Sequence, residues 1–402
     1  MPARRNKERK GPAASTRATE SAQHEESELG DLFEHDGDGY VLIKQVTREV
    51  AIRRHMDCRS ELIVTKVFHR PGREPGYKPG EIRVIELLAP CNRIVPILAW
   101  HETIPRPGFS TAIYPYSEQG DLDNWRQLEF VAKSHKPVPE SYIWRFVIQM
   151  SQALAFMHGQ LQLSASSPNS ISKTTGKSAA RKKDVCIIHK DIKPKNVLVY
   201  YPPSSTYPSF KLHDFGCASL SLPSSSSDID RYGTYEWQPP ENPLINTPAA
   251  DIWSLGACIH YLCTGRPPIE NPSKTMQRVR KQHGNRDPLE VEEYDSPSRY
   301  YAARARRVVT PINLDAEEQE EQLRAPFSGN RAAFPEYNAE YSDSLNDCMH
   351  RLLAMDAGNR PTGREMMQDV EPRARLLLRQ MGNRSALADL DLVVAGRVYS
   401  LK

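Results

Sequence analysis

Glycine is missing from a long stretch near the start of this 402-residue sequence. No glycine lies between Gly39 and Gly72, and the residues from Lys44 to Arg54 are mostly charged or β-branched. Glycine lets a backbone approach a phosphate group closely and present its N–H groups to it. A glycine-rich phosphate-binding turn is therefore excluded from this stretch.

Long apolar runs are lacking as well, so no segment reads as a membrane span or a signal-peptide core. The seven cysteines are scattered without a C-x-x-C pair, which gives no pattern for a zinc site or a disulfide framework. The formal net charge of +3 is too small to indicate nucleic-acid binding by itself. We therefore expect an intracellular protein, cytoplasmic or nuclear, with neither a membrane nor nucleic acid as a direct partner.

One stretch carries the groups that phosphoryl transfer requires. It reads H-K-D-I-K-P-K-N from His189 to Asn196, and D-F-G begins at Asp214. Asp191 can accept the proton of an attacking hydroxyl, and Lys193 can neutralise charge on the transferred phosphate. Asn196 and Asp214 supply hard oxygen ligands, which Mg²⁺ prefers.

The residues between these two motifs predict a β-hairpin. Val197–Tyr201 is apolar and β-branched, Pro202 and Pro203 mark a turn, and Phe210–His213 alternates like a second strand. Such a hairpin would bring the two proposed metal ligands at its ends close together.

In this order, the motifs resemble those of the eukaryotic protein kinase superfamily. The segment from Gly233 to Glu241 is similar to the family's G-T-x-x-[Y/W]-x-x-P-E pattern, and Asp251 opens an apolar stretch like the central helix of the large lobe. The resemblance implies an α+β, two-lobed kinase-like fold with a small β-rich N-lobe and a larger, mainly helical C-lobe.

The likeness also implies a division of the chain. We expect a disordered charged tail over residues 1–36, one kinase domain over 37–372 and a C-terminal extension over 373–402. Within the kinase domain, the N-lobe covers about 37–115 and the C-lobe about 116–372. Two inserts fall at 159–184 and 271–340. Partner docking is open for both inserts, but we expect unstructured loops.

Roles for residues ahead of the catalytic motif follow from the same resemblance. Lys66 would hold the α- and β-phosphates of ATP, oriented by Glu81 or alternatively by Glu86 on the next helix. Backbone around Tyr116 would contact the adenine edge, and Asp121 would contact the ribose. A helix N-cap explains Asp121 equally well.

Without a glycine-rich turn, other groups would have to contact the phosphates of ATP. Arg48, Arg53 or Arg54 could provide it with their side chains, and the alternative is a β-turn with solvated arginines. The serine run from Ser224 to Ser227 could be phosphorylated and pair with Lys190, or could be flexible filler.

Three further residue relationships are implied by the family's structure. Thr234 should lie beside the catalytic aspartate, and Glu241 should form a buried ion pair with Arg360. Asp251 should bind the backbone of the catalytic loop, unless it serves as an N-cap.

The sequence thus predicts a protein serine/threonine kinase that transfers the γ-phosphate of ATP, with Mg²⁺, to a protein substrate. The alternative is a pseudokinase that keeps the fold as a binding or scaffolding module. The sequence does not indicate an oligomeric state.

Overall fold

The computed structural model describes residues 39–58, 61–69, 76–133, 136–161, 185–203, 205–221, 233–241, 246–324 and 339–399. The predicted N-terminal tail, most of the 159–184 insert and Ser224–Ser227 lie outside these residues. The chain divides into two compact units, one within residues 1–78 and 97–116 and the other within 79–96 and 117–402.

In the first unit, the described strands are Tyr40–Gln45 (β1), Val50–His55 (β2), Leu62–His69 (β3), Ala99–His101 (β4) and Phe109–Pro115 (β5). They form one antiparallel sheet in the order β1-β2-β3-β5-β4. Side chains of β3 alternate between buried and partly exposed, as expected for a strand with one face against the core. Ala51, Val67 and Phe109 form a small apolar core on one face.

The second unit is mainly helical, so the two units together confirm the predicted α+β class. Its main helices are Gly80–Leu87 (α1), Leu122–Arg126 (α2), Glu140–Met157 (α3), Pro248–Thr264 (α4), Pro272–Gln282 (α5), Pro297–Arg304 (α6), Ala316–Arg324 (α7), Asp343–Leu352 (α8) and Glu371–Gly382 (α9). Its strands are Ile187–Ile188 (β6), Val197–Tyr200 (β7), Ser209–Leu212 (β8), Ser219–Leu220 (β9), Val393–Val394 (β10) and Arg397–Val398 (β11).

Helices α3 and α4 form the core of this unit. Phe146 and Trp253 are completely buried, and nearly every residue of both helices is shielded from solvent. Helix α4 is apolar on nearly all sides, and such a helix is stable only when its neighbours surround it. Gly265, at φ +78°, ends α4 in the left-handed conformation that glycine adopts readily.

The expectation of an unstructured insert at 271–340 is wrong for residues 272–324, which contain α5, α6 and α7. Asn271 caps α5 and Ser296 caps α6, each followed by proline at the first helical position. Val279, Val291 and Tyr300, with neighbouring aromatic residues, bury a small core of their own. These caps and apolar residues are visible in the sequence, but the high charge of the segment masked them.

The C-terminal segment returns to the connector that follows α1. Asn92 donates its backbone N–H to the carbonyl of Val393 at 3.0 Å, and Ala395 donates to Pro90 at 2.8 Å. Residues of the predicted C-terminal extension are therefore packed within the same unit as α1. None of the helices in the described part of the chain is long and apolar enough to span a bilayer.

Candidate active site

The carboxylate of Asp251 holds the backbone of the predicted catalytic loop. It accepts backbone hydrogen bonds from His189 at 2.8 Å and Lys190 at 3.0 Å, and a third from the ring of His158 at 3.0 Å. Lys190 has φ +68°, a conformation that a non-glycine residue adopts at a cost. Since Thr247 holds the N-cap position of α4, the loop-anchoring role of Asp251 is the one present.

Asp191 lies at the centre of a converging set of donors. Its Oδ2 accepts from Lys193 Nζ at 2.7 Å and from Asn196 Nδ2 at 3.1 Å. Its Oδ1 accepts from both the backbone N–H and the hydroxyl of Thr234 at 2.9 Å. These bonds fix the carboxylate in one orientation, and Thr234 lies beside the aspartate as the resemblance implied.

Gly233 makes this approach sterically feasible. Its φ is +88°, and a Cβ at this position would lie 2.5 Å from the carbonyl oxygen of Lys190 and 3.1 Å from Asp191 Oδ1. Neither the backbone conformation nor the space accommodates a side chain. Glycine is therefore required for Thr234 to reach the carboxylate.

The predicted hairpin is present as β7 and β8, which pair Val197 with Leu212. Next to that pair, His213 donates its N–H to the carbonyl of Asn196 at 3.1 Å, so Asn196 and Asp214 stand at the same end of the hairpin. Asp214 has φ +61° and ψ +73°, a left-handed conformation that is uncommon for residues other than glycine. The buried ring of Phe215 packs 4.9 Å from the ring of His189.

The residues here fit a magnesium ion by their chemistry. Asn196 donates its amide nitrogen to Asp191, which leaves the amide oxygen available as a ligand. Asp214 adds a carboxylate from the same end of the hairpin. Mg²⁺ takes one or two such protein oxygens and completes its shell with water and substrate phosphates.

Glu81 rather than Glu86 faces the D-F-G segment. Glu81 is 4% exposed, whereas Glu86 lies on the solvent side of α1. A Cβ built on Gly216 would lie 3.7 Å from Glu81 Oε2 and 3.3 Å from Asp214 Oδ1. Both carboxylates therefore border the same small region of the second unit.

Strand register decides which residues share a face with Lys66. Lys66 pairs with Val50 on one side and Ala112 on the other, and directly paired residues point to the same face. Arg54 also belongs to this face, because it pairs with Leu62, four residues before Lys66 on β3. Arg53 pairs with Ile63 on the opposite face, so the idea that Arg53 covers the phosphates is wrong.

Backbone N–H groups of the turn between β1 and β2 form hydrogen bonds within the turn itself. Val46 and Thr47 donate to the carbonyl of Val50 at 2.8 and 3.1 Å. Glu49 and Val50 donate to the hydroxyl of Thr47 at 3.2 and 3.1 Å. The turn is thus stabilised by a threonine side chain where a glycine-rich turn would leave its N–H groups open to phosphate.

Tyr116 is the last residue of the first unit, directly after β5, and it is partly buried. Asp121 caps α2, since its Oδ1 accepts from the N–H of Asn124 at 2.8 Å. Desolvation raises the pKa of Asp121. The N-cap role of Asp121 is therefore present, and its contact with ribose stays a prediction.

Sequence reasoning missed two arginines that hold the segment after Gly233. Arg307 donates to the carbonyls of Gln238 at 2.7 Å and Tyr235 at 2.9 Å, and Arg299 lies with its guanidinium 5.4 Å from the Tyr235 ring. Both residues come from the insert, more than sixty positions away. No local sequence pattern identifies such long-range contacts to backbone carbonyls.

The comparison with protein families matches residues 170–370, half of the chain, to the protein kinase domain. This chain belongs to the protein kinase family. The match includes the catalytic motif, the hairpin and the Glu241–Arg360 pair, whose oxygens and guanidinium nitrogens are 2.7 and 2.8 Å apart. Protein kinases in general use ATP and Mg²⁺.

Similar proteins carry kinase names. The chain is 27% identical over 258 residues, 60% of its length, to the serine/threonine-protein kinase Nek1 of Toxoplasma gondii. It is 41% identical over 100 residues, 24% of its length, to an Aurora kinase of Debaryomyces hansenii. A probable serine/threonine-protein kinase of Dictyostelium discoideum is 29% identical over 204 residues, half of this chain. These alignments span only 14%, 23% and 33% of the respective relatives.

Proposed function

We propose that this protein kinase is serine/threonine-specific and catalytically active, transferring the γ-phosphate of ATP to a protein hydroxyl. The observation that carries the proposal is the arrangement around Asp191, where Lys193, Asn196 and Thr234 all donate to one carboxylate. Such mutual fixation is what a pre-organised catalytic base requires.

In this proposal, the substrate hydroxyl transfers its proton to Asp191 while its oxygen forms a bond to the γ-phosphorus. The bond between that phosphorus and the bridging oxygen of ADP breaks, and the electron pair leaves with ADP. Lys193 compensates the negative charge that spreads over the transferred group. Its ammonium, 2.7 Å from Asp191, is already located at the reacting centre.

Asn196 and Asp214 would hold Mg²⁺, which neutralises phosphate charge when bound. Lys66 would bind the α- and β-phosphates, and Glu81 would orient that lysine. Backbone around Tyr116 would contact adenine. The assignments of Lys66, Glu81 and Tyr116 rest on the resemblance of their segments to kinase motifs, because the family match covers residues 170–370. One oxygen of Asp121 accepts the N-cap bond, and its second oxygen would bind a ribose hydroxyl.

The test is transfer of labelled γ-phosphate from Mg·ATP to a generic protein substrate and to the protein itself. Wild type is compared with Asp191→Asn, which keeps the size of the side chain and removes the base. Asp343→Asn is a matched control, since Asp343 is an exposed aspartate on α8. We expect transfer by wild type and the control, and loss of about 100-fold or more in Asp191→Asn. Equal background signal from all three proteins would refute the proposal.

A pseudokinase is the second candidate, and the β1–β2 turn favours it. The turn lacks glycine, and its N–H groups bond to Thr47 and Val50 instead. Nucleotide titration separates the candidates. If the protein is an active kinase, wild type should bind Mg·ATP more tightly than Arg54→Ala does, because Arg54 shares the face of Lys66. If it is a pseudokinase without a nucleotide site, neither wild type nor Arg54→Ala should bind Mg·ATP measurably.

A further inference from the structure

A cavity of about 640 Å³ lies in the second unit beside the segment that carries Thr234. One wall consists of Tyr235 and residues 238–241, and the other walls come from α5, α6, the residues that follow each of these helices, and Met355. The hydroxyl of Thr234 lies 2.9 Å from Asp191 Oδ1, so the first wall begins one residue away from the proposed base. A protein chain whose hydroxyl reaches Asp191 would have its flanking residues close to this cavity.

The cavity wall is positively charged. Among the described residues that line it, Glu241 contributes the only carboxylate, and both oxygens of that carboxylate accept from the guanidinium of Arg360 at 2.7 and 2.8 Å. The negative charge is thus compensated from outside the cavity. The arginines in the wall are Arg278, Arg304, Arg306 and Arg307.

Two of these arginines serve the structure. Arg307 is engaged by the carbonyls of Tyr235 and Gln238, and burial lowers its pKa to about 10, which still leaves it charged at neutral pH. Arg278 forms an ion pair with Glu270. Neither is open to a further anion without losing an existing bond.

The other two are placed to receive a ligand. Arg304 is exposed, and its guanidinium lies 3.8 Å from the ring centre of Tyr300. One of its nitrogens, Nη1, donates to the hydroxyl of Tyr294 at 3.2 Å, which orients the group and leaves its other N–H donors for a ligand. Arg306 is exposed, and its guanidinium has no hydrogen-bond or ion-pair partner among the residues that the structure describes. Guanidinium groups bind carboxylates and phosphates through paired, charge-assisted hydrogen bonds.

We propose that this cavity binds an anionic side chain of the protein substrate near its phosphoacceptor, a carboxylate or a phosphorylated residue, with Arg306 and Arg304 as its contacts. The inference rests on the proposed function, because it assigns a substrate class to that site. An acidic or already phosphorylated segment is selected over a neutral or basic one, since only an anion compensates the charge of the wall.

The test uses serine peptides in which one glutamate or one phosphoserine is moved through the positions on either side of the phosphoacceptor. Binding is measured by fluorescence anisotropy on the full-length Asp191→Asn protein, and kcat/KM is measured on wild type. The reference peptide carries alanine in place of the anionic residue. With the anion at one position, or at two adjacent positions, we expect the peptide to bind about tenfold more tightly than this reference, which is the effect of one charge-assisted hydrogen bond. The glutamate and phosphoserine series show which of the two anions is preferred.

Arg306→Glu is the decisive variant, and Arg286→Glu is its control. Arg286 is exposed and belongs to the same insert but does not line the cavity, so both variants carry the same change in net charge. The ratio of affinities for acidic and neutral peptides should fall to about one in Arg306→Glu and persist in Arg286→Glu. Equal loss in both variants would assign the preference to overall charge and overturn the proposal.

Failure of the inference and failure of the proposed function give different results. Phosphorylation of the peptides without preference for an anion at any position overturns the cavity assignment and leaves the kinase activity intact. An anion preference in binding that Arg306→Glu abolishes, with no phosphorylation by wild type, supports the cavity and removes the catalytic proposal.

Discussion

The buried guanidinium of Arg93 donates a 2.7 Å hydrogen bond to the backbone carbonyl of Asp389, 296 residues further along the chain. It also donates to the carbonyl of Asp391 at 2.9 Å and to the side chain of Gln152 at 2.8 Å. One fully buried side chain thereby joins the connector after α1, the central helix α3 and the C-terminal segment.

Replacing Arg93 by methionine should destabilise the protein by about 3–5 kcal/mol, because two backbone carbonyls and an amide oxygen lose their donor in the interior. Asp389→Asn should cost only about 1 kcal/mol, since it keeps the backbone carbonyl and an acceptor oxygen for the Tyr200 hydroxyl at 2.8 Å and for Arg93 at 3.4 Å. Urea unfolding followed by tryptophan fluorescence measures both changes. A cost for Asp389→Asn as large as that for Arg93→Met would show that the bonds of the carboxylate to Arg93 and Tyr200, not the carbonyl bonds, dominate.

Gly233→Ala should abolish most activity, because the new methyl group would collide with the carbonyl of Lys190 and displace Thr234 from Asp191. A loss of about 100-fold in kcat is expected from misplacement of the catalytic groups. Gly284→Ala is the control, since it has a comparable φ of +65° but no atom within 4 Å of the added Cβ. Similar kinetic losses in both variants would mean that backbone conformation alone accounts for the effect.

Asp251→Asn should lower kcat by about 10- to 100-fold while leaving the protein folded. An amide has a single acceptor oxygen, so it cannot satisfy the three donors from His158, His189 and Lys190 at once. The positive φ of Lys190 should then relax and move Asp191. Steady-state kinetics beside an unfolding curve provide the check, and an unchanged kcat in a folded variant would contradict this anchoring role.

His260 should make stability depend on pH in the acid range. Burial lowers its pKa to about 4, and the neutral ring bonds to Arg266 O at 2.8 Å and accepts from the Thr310 N–H at 3.1 Å. The unfolded chain binds the proton near pH 6.5, so this contribution is complete above that pH and is lost as the pH falls towards 4. The total is about 3 kcal/mol.

The measurement compares wild type with His260→Asn, whose side chain does not titrate. The difference in unfolding free energy between them should be constant above pH 7 and should shift against wild type between pH 6.5 and 4.5. A pH-independent difference across the whole range would show that His260 titrates alike in both states.

The sequence predicted the elements whose local pattern is strong. The motifs from His189 to Asn196 and from Asp214 onwards led to the hairpin and to the cluster around Asp191, because chemistry and strand pattern coincide there. The apolar stretch that begins at Asp251 likewise led to helix α4, because it resembles the central helix of the family's large lobe. The family match confirms the class of protein, while the roles of the individual site residues stay predictions.

The elements that sequence reasoning missed depend on contacts between distant positions. Arg93 and Arg307 read as ordinary charged residues, yet each is surrounded by backbone carbonyls from far along the chain. We expected the 271–340 insert to be an unstructured loop because it is highly charged. Its few apolar residues are spread over three short segments that come together only in the folded protein. From the sequence, Arg53 and Arg54 were equally good candidates to contact phosphate. Only the strand register shows that they lie on opposite faces of the sheet.

The threonine-stabilised turn between β1 and β2 has a consequence for how the protein would respond to its surroundings. Its N–H groups are engaged by Thr47 and Val50, so nucleotide phosphates would depend on the charges of side chains such as Lys66 and Arg54. Attraction between exposed charges weakens as salt screens it, whereas hydrogen bonds from a glycine-rich backbone are less sensitive. If Lys66 and Arg54 bind the nucleotide phosphates as proposed, the affinity for nucleotide should fall as the salt concentration rises.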